Sequence, residues 1–309
     1  MYVLRRIGQA VLVVFIAFTA TFLLMQALPG DGILARYESP DLGLTPAQIE
    51  ELRVLYGADE PIWRQYLTTL GNFLTGDFGT SIQTGADVSE LVVTALPATV
   101  VLAGTGFLLA VVVAVPLAGL ATFGPFGWLQ SLMRSVPALF VSIPAFWLAI
   151  MLIQIFSFRL GWVPVIGAEG LQALILPALT ISVPISAPLA QVLIRSLDEV
   201  LDRPFVGVVR ARGASEWWLL WRNVAKNALI PAITIAGVLF GELVAGAVIT
   251  EEVFGRTGLG SLTVDAVGNR DIPVIQAVVV LTSIGFVVIN LIIDLLYPVI
   301  DPRLRRAKA

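Results

Sequence analysis

Long apolar runs separated by short polar stretches dominate the chain. A helix needs about 20 apolar residues to cross the hydrocarbon core of a bilayer, and six segments reach that length. They are residues 8–28, 98–122, 132–156, 172–193, 229–250 and 274–297. The pattern therefore predicts an all-α integral membrane protein with six transmembrane helices.

The first polar interruption, residues 30–97, has a helical periodicity of its own. Thr45-Pro46-Ala47-Gln48 is typical of a helix start with a capping box. A second helix is predicted to begin at Pro61 and to end at Gly76. This region is either a small cap packed on the membrane helices or a docking surface for an external partner.

A later polar interruption, residues 195–231, is called the basic loop below. Pro204 is predicted to begin a short helix that ends before Gly213, and Ser215 to cap a further helix. Pro231 then marks the entry to the fifth span. A short exposed helix between two long ones suits a lever that a soluble partner moves. The plainer interpretation is a loop that satisfies the positive-inside rule.

The distribution of basic residues predicts the orientation. With a cytoplasmic N-terminus, 13 of the 19 Lys and Arg residues lie inside, whereas residues 30–97 hold ten carboxylates and three arginines. Both termini and the basic loop are then cytoplasmic. The segment 251–273 is external, as a compact turn or as a plug or docking edge. We expect three parts: a first span at 1–29, an external helical region at 30–97 and a core at 98–309.

Besides Pro231 at the start of the fifth, the predicted spans contain Pro116, Pro137, Pro144, Pro177, Pro184 and Pro188. Proline frees a backbone carbonyl, which is tolerated where protein or a water-lined cavity satisfies it. Broken helices of this kind suit a transport pathway. The alternative is a static bundle with ordinary kinks.

Composition restricts the chemistry. Hydrophobic residues make up 57% of the 309 residues and charged residues 13%, and the net charge of −3 does not support a nucleic-acid partner. The chain contains no Cys and no His, which excludes thiolate nucleophiles, imidazole bases and metal sites built from them. Lys226 and Lys308 do not follow a Gly-rich loop, so a phosphate-binding loop for ATP is absent. These absences count against an enzyme.

Polar residues within the predicted spans are candidates for a substrate pathway. Glu242 is the foremost, because a carboxylate at membrane depth is expensive. It is suited to binding the amino terminus of a peptide or another cation; alternatively it is a neutral acid or is hydrogen-bonded to a neighbour. Gln154 and Gln191 are candidates of the same kind. Asp294, one turn from Asn290, is predicted to anchor the end of the sixth span.

The basic loop resembles a known sequence. Its stretch 209–215, Val-Arg-Ala-Arg-Gly-Ala-Ser, followed by Asn-Ala-Leu-Ile-Pro at 227–231, resembles the cytoplasmic EAA-type loop of ABC importer permeases. The interval of 18 residues from Gly213 to Pro231 is similar to the dipeptide/oligopeptide/nickel branch of that family. Further landmarks recur in order at 28–31, 76–81, 251–254, 258–260, 270–273, 290–297 and 301–305.

Three positions depart from the family pattern. Gly207-Val208-Val209 stands where Glu-Ala-Ala is usual, Arg212 where Lys is usual, and Gly32 where Pro is usual. The missing Glu puts one particular ion pair with an ATPase in doubt. The glycine and the loop length are kept.

The resemblance implies a type I ABC importer (MetI-like) permease fold, with an external helical segment between the first two spans. It places the multi-pass chain in the plasma (inner) membrane of a prokaryote. It implies a non-catalytic subunit that pairs with a homologous second permease in a heterodimeric pore, and a solute-binding protein that delivers di- or oligopeptides from outside. Two ATPase subunits or domains bind ATP and Mg²⁺ beneath the pore, and this chain needs no cofactor of its own.

The resemblance also implies that the short helix of the basic loop couples the pore to the ATPases. The residues carrying that role are Arg203, Phe205, Arg210, Ala211, Arg212, Gly213, Ala214 and Ser215. The alternative function is an ion-coupled secondary transporter that uses Glu242 as a proton or Na⁺ site. Six spans and a structured cytoplasmic loop count against that alternative.

Overall fold

The computed structural model describes residues 2–27, 45–48, 51, 60–168 and 170–300. In chain order its helices are α1 (Tyr2–Ala27), α2 (Ile62–Thr75), α3 (Val88–Phe123), α4 (Gly127–Ser142), α5 (Ala145–Leu152), α6 (Gln172–Leu201), α7 (Pro204–Ala211), α8 (Glu216–Leu219), α9 (Ala225–Val253), α10 (Leu259–Gly268) and α11 (Ile272–Ile300). A π-helical segment, Ile153–Arg159, follows α5, and another, Leu220–Val224, joins α8 to α9.

Two signals in the external region are confirmed. The Thr45 N–H donates to Gln48 Oε1 (2.9 Å) and the Gln48 N–H donates to Thr45 Oγ1 (3.4 Å), which is a capping box. Pro61 precedes α2, and Gly76 ends it with a φ of +83°. The landmarks at 28–31 and 301–305, together with Gly32, lie outside the described residues.

Over the described residues, five helices are long and apolar enough to cross a membrane, namely α1, α3, α6, α9 and α11. The helix α4 and the segment Ala145–Arg159 meet at 97°, and the number of crossings is six if this bent pair is one span. The predicted span at 132–156 is therefore bent at Pro144, one of the prolines from which broken helices were predicted. Pro144 precedes α5 and Ile143 is extended (φ −88°, ψ 117°), because a proline ring disfavours helical backbone in the residue before it.

The remaining prolines lie inside unbroken helices. Pro116 is within α3, Pro137 is within α4, and α6 contains three prolines over its 30 residues. In α6 the hydroxyls of Thr180, Ser182 and Ser186 donate to main-chain carbonyls three or four residues earlier (2.7–2.9 Å). Hydroxyl groups of this kind help a proline-containing helix persist where water is scarce.

The predicted boundary at Pro231 is wrong. The helix α9 runs through Pro231 without interruption, and Leu220–Val244 forms one apolar stretch. Proline removes a single backbone donor, and membrane helices tolerate that loss. The helix that follows the basic loop and the fifth span are thus one element.

The chain divides into two compact units. One unit consists of Met1–Thr99 and Gly255–Val287. Its core residues come from α3, α10 and α11, and Phe73 and Phe78 pack against them. The segment 251–273, predicted as a turn, plug or docking edge, contains the ten-residue helix α10.

The other unit consists of Val100–Phe254 and Val288–Ala309. In it, α3 contributes five buried alanines to a core that also contains residues of α6 and α9: Ala103, Ala110, Ala114, Ala118 and Ala121. Small residues allow membrane helices to approach closely. The basic loop joins α6 to α9, so its two ends are fixed by closely packed helices.

Candidate functional site

The short helix predicted in the basic loop is α7. Arg203 precedes it in an extended conformation and Pro204 occupies its first position, which the sequence predicts. The helix has eight residues and ends at Ala211. The long helix α6 continues to Leu201, so α7 follows the end of a membrane span almost directly.

One face of α7 packs against the core and the other is exposed. Val206 is buried, and Phe205 and Val209 pack against the core formed by α3, α6 and α9. Gly207 and Val208 lie on the exposed face. Because close-packed side chains transmit displacement rather than absorb it, a force on the exposed face passes to the membrane helices.

The end of α7 is a Schellman motif centred on Gly213. The Gly213 N–H donates to the Arg210 carbonyl (2.9 Å) and the Ala214 N–H donates to the Val209 carbonyl (3.4 Å). Gly213 has a φ of +82°, which is the left-handed conformation that this motif requires. The predicted breaker is therefore a fixed turn of defined geometry.

An ion pair spans that turn. Arg210 donates through Nε to Glu216 Oε1 (2.8 Å) and through an Nη to Oε2 (2.9 Å). These hydrogen bonds lower the pKa of the Glu216 carboxyl and raise the pKa of the Arg210 guanidinium. Ser215 caps α8, as predicted, since its Oγ accepts from the Trp218 N–H (3.3 Å).

The departure from the family pattern falls on the exposed face. Gly207 occupies the position of the usual Glu. The helix α7 contains no carboxylate. The charges of this surface are instead the exposed Arg203, Arg210 and Arg212. The face is apolar at its centre and basic at its ends.

The three polar candidates in the spans do not form one site. Glu242, Gln191 and Gln154 are each exposed on the chain. Next to Glu242, Leu243 lies near Gly106, and so does Ile181 of α6. Gln191 is ten residues further along α6, about 15 Å of helix, and Gln154 lies in the π-helical segment after α5. Asp294 lies on α11, with its side chain outside the described set.

Sequence reasoning missed an ion pair between α4 and α6. Arg134 donates through both Nη atoms to the carboxylate of Asp198 (2.6 and 3.0 Å). A usable signal was present, because Arg134 lies inside the predicted third span and a charge there needs a partner.

A second missed contact joins two of the landmark motifs. The buried carboxylate of Asp271 accepts from the Ser81 hydroxyl and from the backbone N–H groups of Ile82 (3.2 Å) and Gln83 (3.3 Å). Ser81 lies in the landmark at 76–81 and Asp271 in the landmark at 270–273. Because 190 residues separate the two, no local pattern indicates that they pair.

Comparison with solved structures identifies the fold class. The chain superposes on structures titled inward facing conformations of the MetNI methionine ABC transporter, with TM-scores of 0.59 and 0.56. The match covers 68% of this chain and 96% of the other, at 20% and 19% sequence identity. The fold is therefore that of a type I ABC importer permease, as the sequence predicts.

Comparison with sequences identifies the family. Residues 106–306 match the family described as binding-protein-dependent transport system inner membrane component, and residues 1–103 match its N-terminal family. The glutathione transport system permease proteins GsiC of Escherichia coli (strain K12) and of Shigella dysenteriae serotype 1 (strain Sd197) are 36% identical to the chain, over 98% of each sequence. The chain belongs to this family and is a multi-pass permease of the bacterial inner membrane that serves a binding-protein-dependent ABC importer.

Proposed function

We propose that this permease takes up short peptides and receives its driving force through α7. The substrate class is supported by the relatives named for glutathione transport, since glutathione is itself a short peptide. It is supported too by the interval of 18 residues between Gly213 and Pro231, which resembles the dipeptide/oligopeptide branch. Two ATPase subunits bind ATP and Mg²⁺, a second permease completes the pore, and an external binding protein delivers the solute.

The coupling role is supported by the difference between the two faces of α7, one packed against the core and the other exposed. Phe205, Val206 and Val209 hold one face in the core while Val208 and the arginines face outward. If a groove on an ATPase holds the exposed face, a movement of the ATPase displaces α7. Because the other face of α7 is packed against the core, α6 and α9 move with it. The coupling residues are Arg203, Phe205, Arg210, Ala211, Arg212, Gly213, Ala214 and Ser215.

Glu242 contributes to the substrate pathway in this proposal, with Gln191 and Gln154 at other depths. Its exposed carboxylate lies nine residues before Glu251, about 14 Å of helix from that end of α9. A carboxylate at such depth is unstable against acyl chains. The face of α9 that carries Glu242 therefore turns toward a second permease or a water-filled path, where an ammonium group of a peptide can pair with it.

The proposed arrangement has three parts and a defined orientation. The first span at 1–29 and the external region at 30–97 precede the core at 98–309, which contains the basic loop. Both termini and the basic loop face the cytoplasm, which is supported by the excess of basic residues on that side.

Cross-linking tests the coupling role, because the chain has no native cysteine. We expect Val208→Cys in the assembled transporter to form a short thiol-directed cross-link to an ATPase subunit. Val209→Cys is the matched control, since it replaces the same residue type on the anchored face of the same helix. Cross-links from Val208→Cys that reach only lipid or the permease itself contradict the docking of α7.

The orientation has its own check. A membrane-impermeant thiol reagent applied to intact cells is expected to label Asp265→Cys on α10, where Asp265 is exposed, and to leave Val208→Cys unlabelled. The reverse labelling would show that the orientation is inverted.

A further inference from the structure

The helix α2 has three distinct sides. Tyr66, Leu70 and Phe73 are half-buried on the side that faces α1. A second side is polar and exposed, and consists of Arg64, Thr68, Asn72 and Thr75. Between these sides runs an apolar stripe that the described residues leave exposed, with exposed fractions of 66% at Trp63, 57% at Leu67 and 81% at Leu74.

The contacts of α2 place it at membrane depth. The Gln26 amide donates to Gln65 Oε1 (2.8 Å), and the hydroxyls of Thr19 and Tyr66 lie 2.8 Å apart. The ring of Phe73 meets that of Phe18 at 5.2 Å between centroids. The helix therefore follows α1 from residue 26 back towards residue 18.

Distances along α1 give the depth. Thr19 is 13 residues beyond Arg6, the last charged residue of α1, which is about 20 Å of helix. The hydrocarbon core is about 30 Å thick. The contacts between α1 and α2 hence lie within the leaflet that surrounds the C-terminal half of α1.

Beside the stripe, α1 has an exposed apolar surface of its own. Only 17% of the membrane window of α1 is buried by the rest of the chain, and Phe15, Leu23 and Leu24 are exposed beside the residues that contact α2. The exposed side chains named here on α1 and on the stripe of α2 are all uncharged and apolar. Water does not cover a contiguous apolar surface of this kind favourably.

The ends and the polar side of α2 fit a membrane interface. Trp63 and Arg64 lie at the end of α2 level with Gln26, where a bilayer offers its headgroup layer, and Arg64 pairs with Glu60 there (3.7 Å). Tryptophan favours that layer and arginine extends its charge into it. The N-terminal turn of α2 thereby fits the headgroup layer, while the rest of the helix follows α1 into the leaflet.

We propose that α2 enters that leaflet beside α1 and that its stripe lies against lipid, with Trp63 at the headgroups and Leu67 and Leu74 among the acyl chains, while the polar side, Arg64, Thr68, Asn72 and Thr75, is turned to water. The occupant of the stripe is lipid, not the binding protein or the second permease. This goes beyond the proposed function and does not depend on it. The external region is thereby anchored by a surface that the sequence pattern assigned to a cap or a docking site.

Single cysteines test this proposal. Nitroxide labels at Leu67→Cys and Leu74→Cys report on the stripe, and labels at Thr68→Cys and Thr75→Cys report on the polar side of the same two turns. The full chain is measured in native membranes and in phosphatidylcholine vesicles, by collision with dissolved oxygen and with a water-soluble nickel chelate. All four positions are exposed, so the labels fit without repacking.

The expected result is a several-fold excess of oxygen collisions over chelate collisions at residues 67 and 74, and the opposite ratio at residues 68 and 75. Three results would overturn the proposal. Chelate access at residues 67 and 74 equal to that at residue 68 means that the stripe faces water. Shielding from both reagents in native membranes means that protein covers it. Oxygen excess at all four positions means that α2 is wholly immersed.

Discussion

Gly213 fixes the direction in which the chain leaves α7. Its φ of +82° is a conformation that costs a residue with a Cβ about 1–2 kcal/mol. No atom lies within 4 Å of the place where its Cβ would be, so a substitution there strains the backbone without a clash. The geometry between α7 and α8 therefore depends on this residue through conformation alone.

Gly213→Ala is expected to reduce peptide-stimulated ATP hydrolysis by the assembled transporter several-fold, because the Schellman motif opens and α7 loses its fixed angle. Gly207→Ala is the matched control. Gly207 also has open space for a Cβ, but it lies within α7, where Ala is favoured over Gly by about 1 kcal/mol. Equal hydrolysis in the two variants would contradict a role for the turn.

For single residues, the sequence predicts the backbone conformation better than it predicts which groups surround a side chain. A glycine between Arg212 and Ala214, after an apolar helical pattern, is a local signal, and the structure confirms the turn. The exposure of Glu242 has no local signal, because the sequence gives its depth in a helix but not the side that it faces. For Arg134 the sequence indicates that a partner is needed, but not that the partner is Asp198.

Helices α3 and α6 approach closely through small residues. A Cβ on Gly106 would lie 2.5 Å from two side-chain carbons of Ile181, and Ile181 is buried. An isoleucine enclosed on all sides cannot withdraw from such a contact. The helices must therefore separate if the glycine is replaced.

Gly106→Ala is expected to destabilise the permease by about 1–3 kcal/mol, the usual effect of overpacking, and to lower its thermal unfolding temperature in detergent. Gly104→Ala, two residues away on the exposed side of α3, has open space for the methyl group and should leave that temperature unchanged. Identical unfolding curves for the two variants would show that α3 and α6 are not in tight contact.

At the scale of helices, the sequence does not predict whether a proline ends a helix or lies within it. Pro144 ends one helix and begins another at 97°, whereas Pro231 lies within an unbroken α9. Both carry the same local restriction, so the outcome is decided by packing around each helix rather than by the proline. The helix α10 shows the same limit, since its glycines predicted a turn and its buried side chains support a helix.

For the whole molecule, the two candidate functions predict different energy sources. Purified permease in proteoliposomes is expected to show no peptide uptake under a proton or Na⁺ gradient, because the exposed face of α7 receives its driving force only from an ATPase. Addition of the second permease, the ATPases, the binding protein and ATP should restore uptake of a labelled short peptide. Gradient-driven uptake by the chain alone, lost in Glu242→Gln, would establish the secondary transporter instead.

The six apolar segments were enough to predict the all-α membrane class and the approximate spans, since length and hydrophobicity are local properties. The division into two units was not predictable in that way. One unit joins Met1–Thr99 with Gly255–Val287, and its link between Ser81 and Asp271 depends on residues that are adjacent only after folding.

That link has a consequence for biogenesis. At a synthesis rate of about 5–20 residues per second, the 190 residues between Ser81 and Asp271 take roughly 10–40 s to emerge. During that interval the N-terminal unit lacks both α10 and the start of α11, so the core residues Val88 and Val92 have no partners from them. The first hundred residues thus reach the bilayer before their packing partners have been synthesised. If translation stops before Asp271, we expect the product to be degraded, because its N-terminal unit cannot fold.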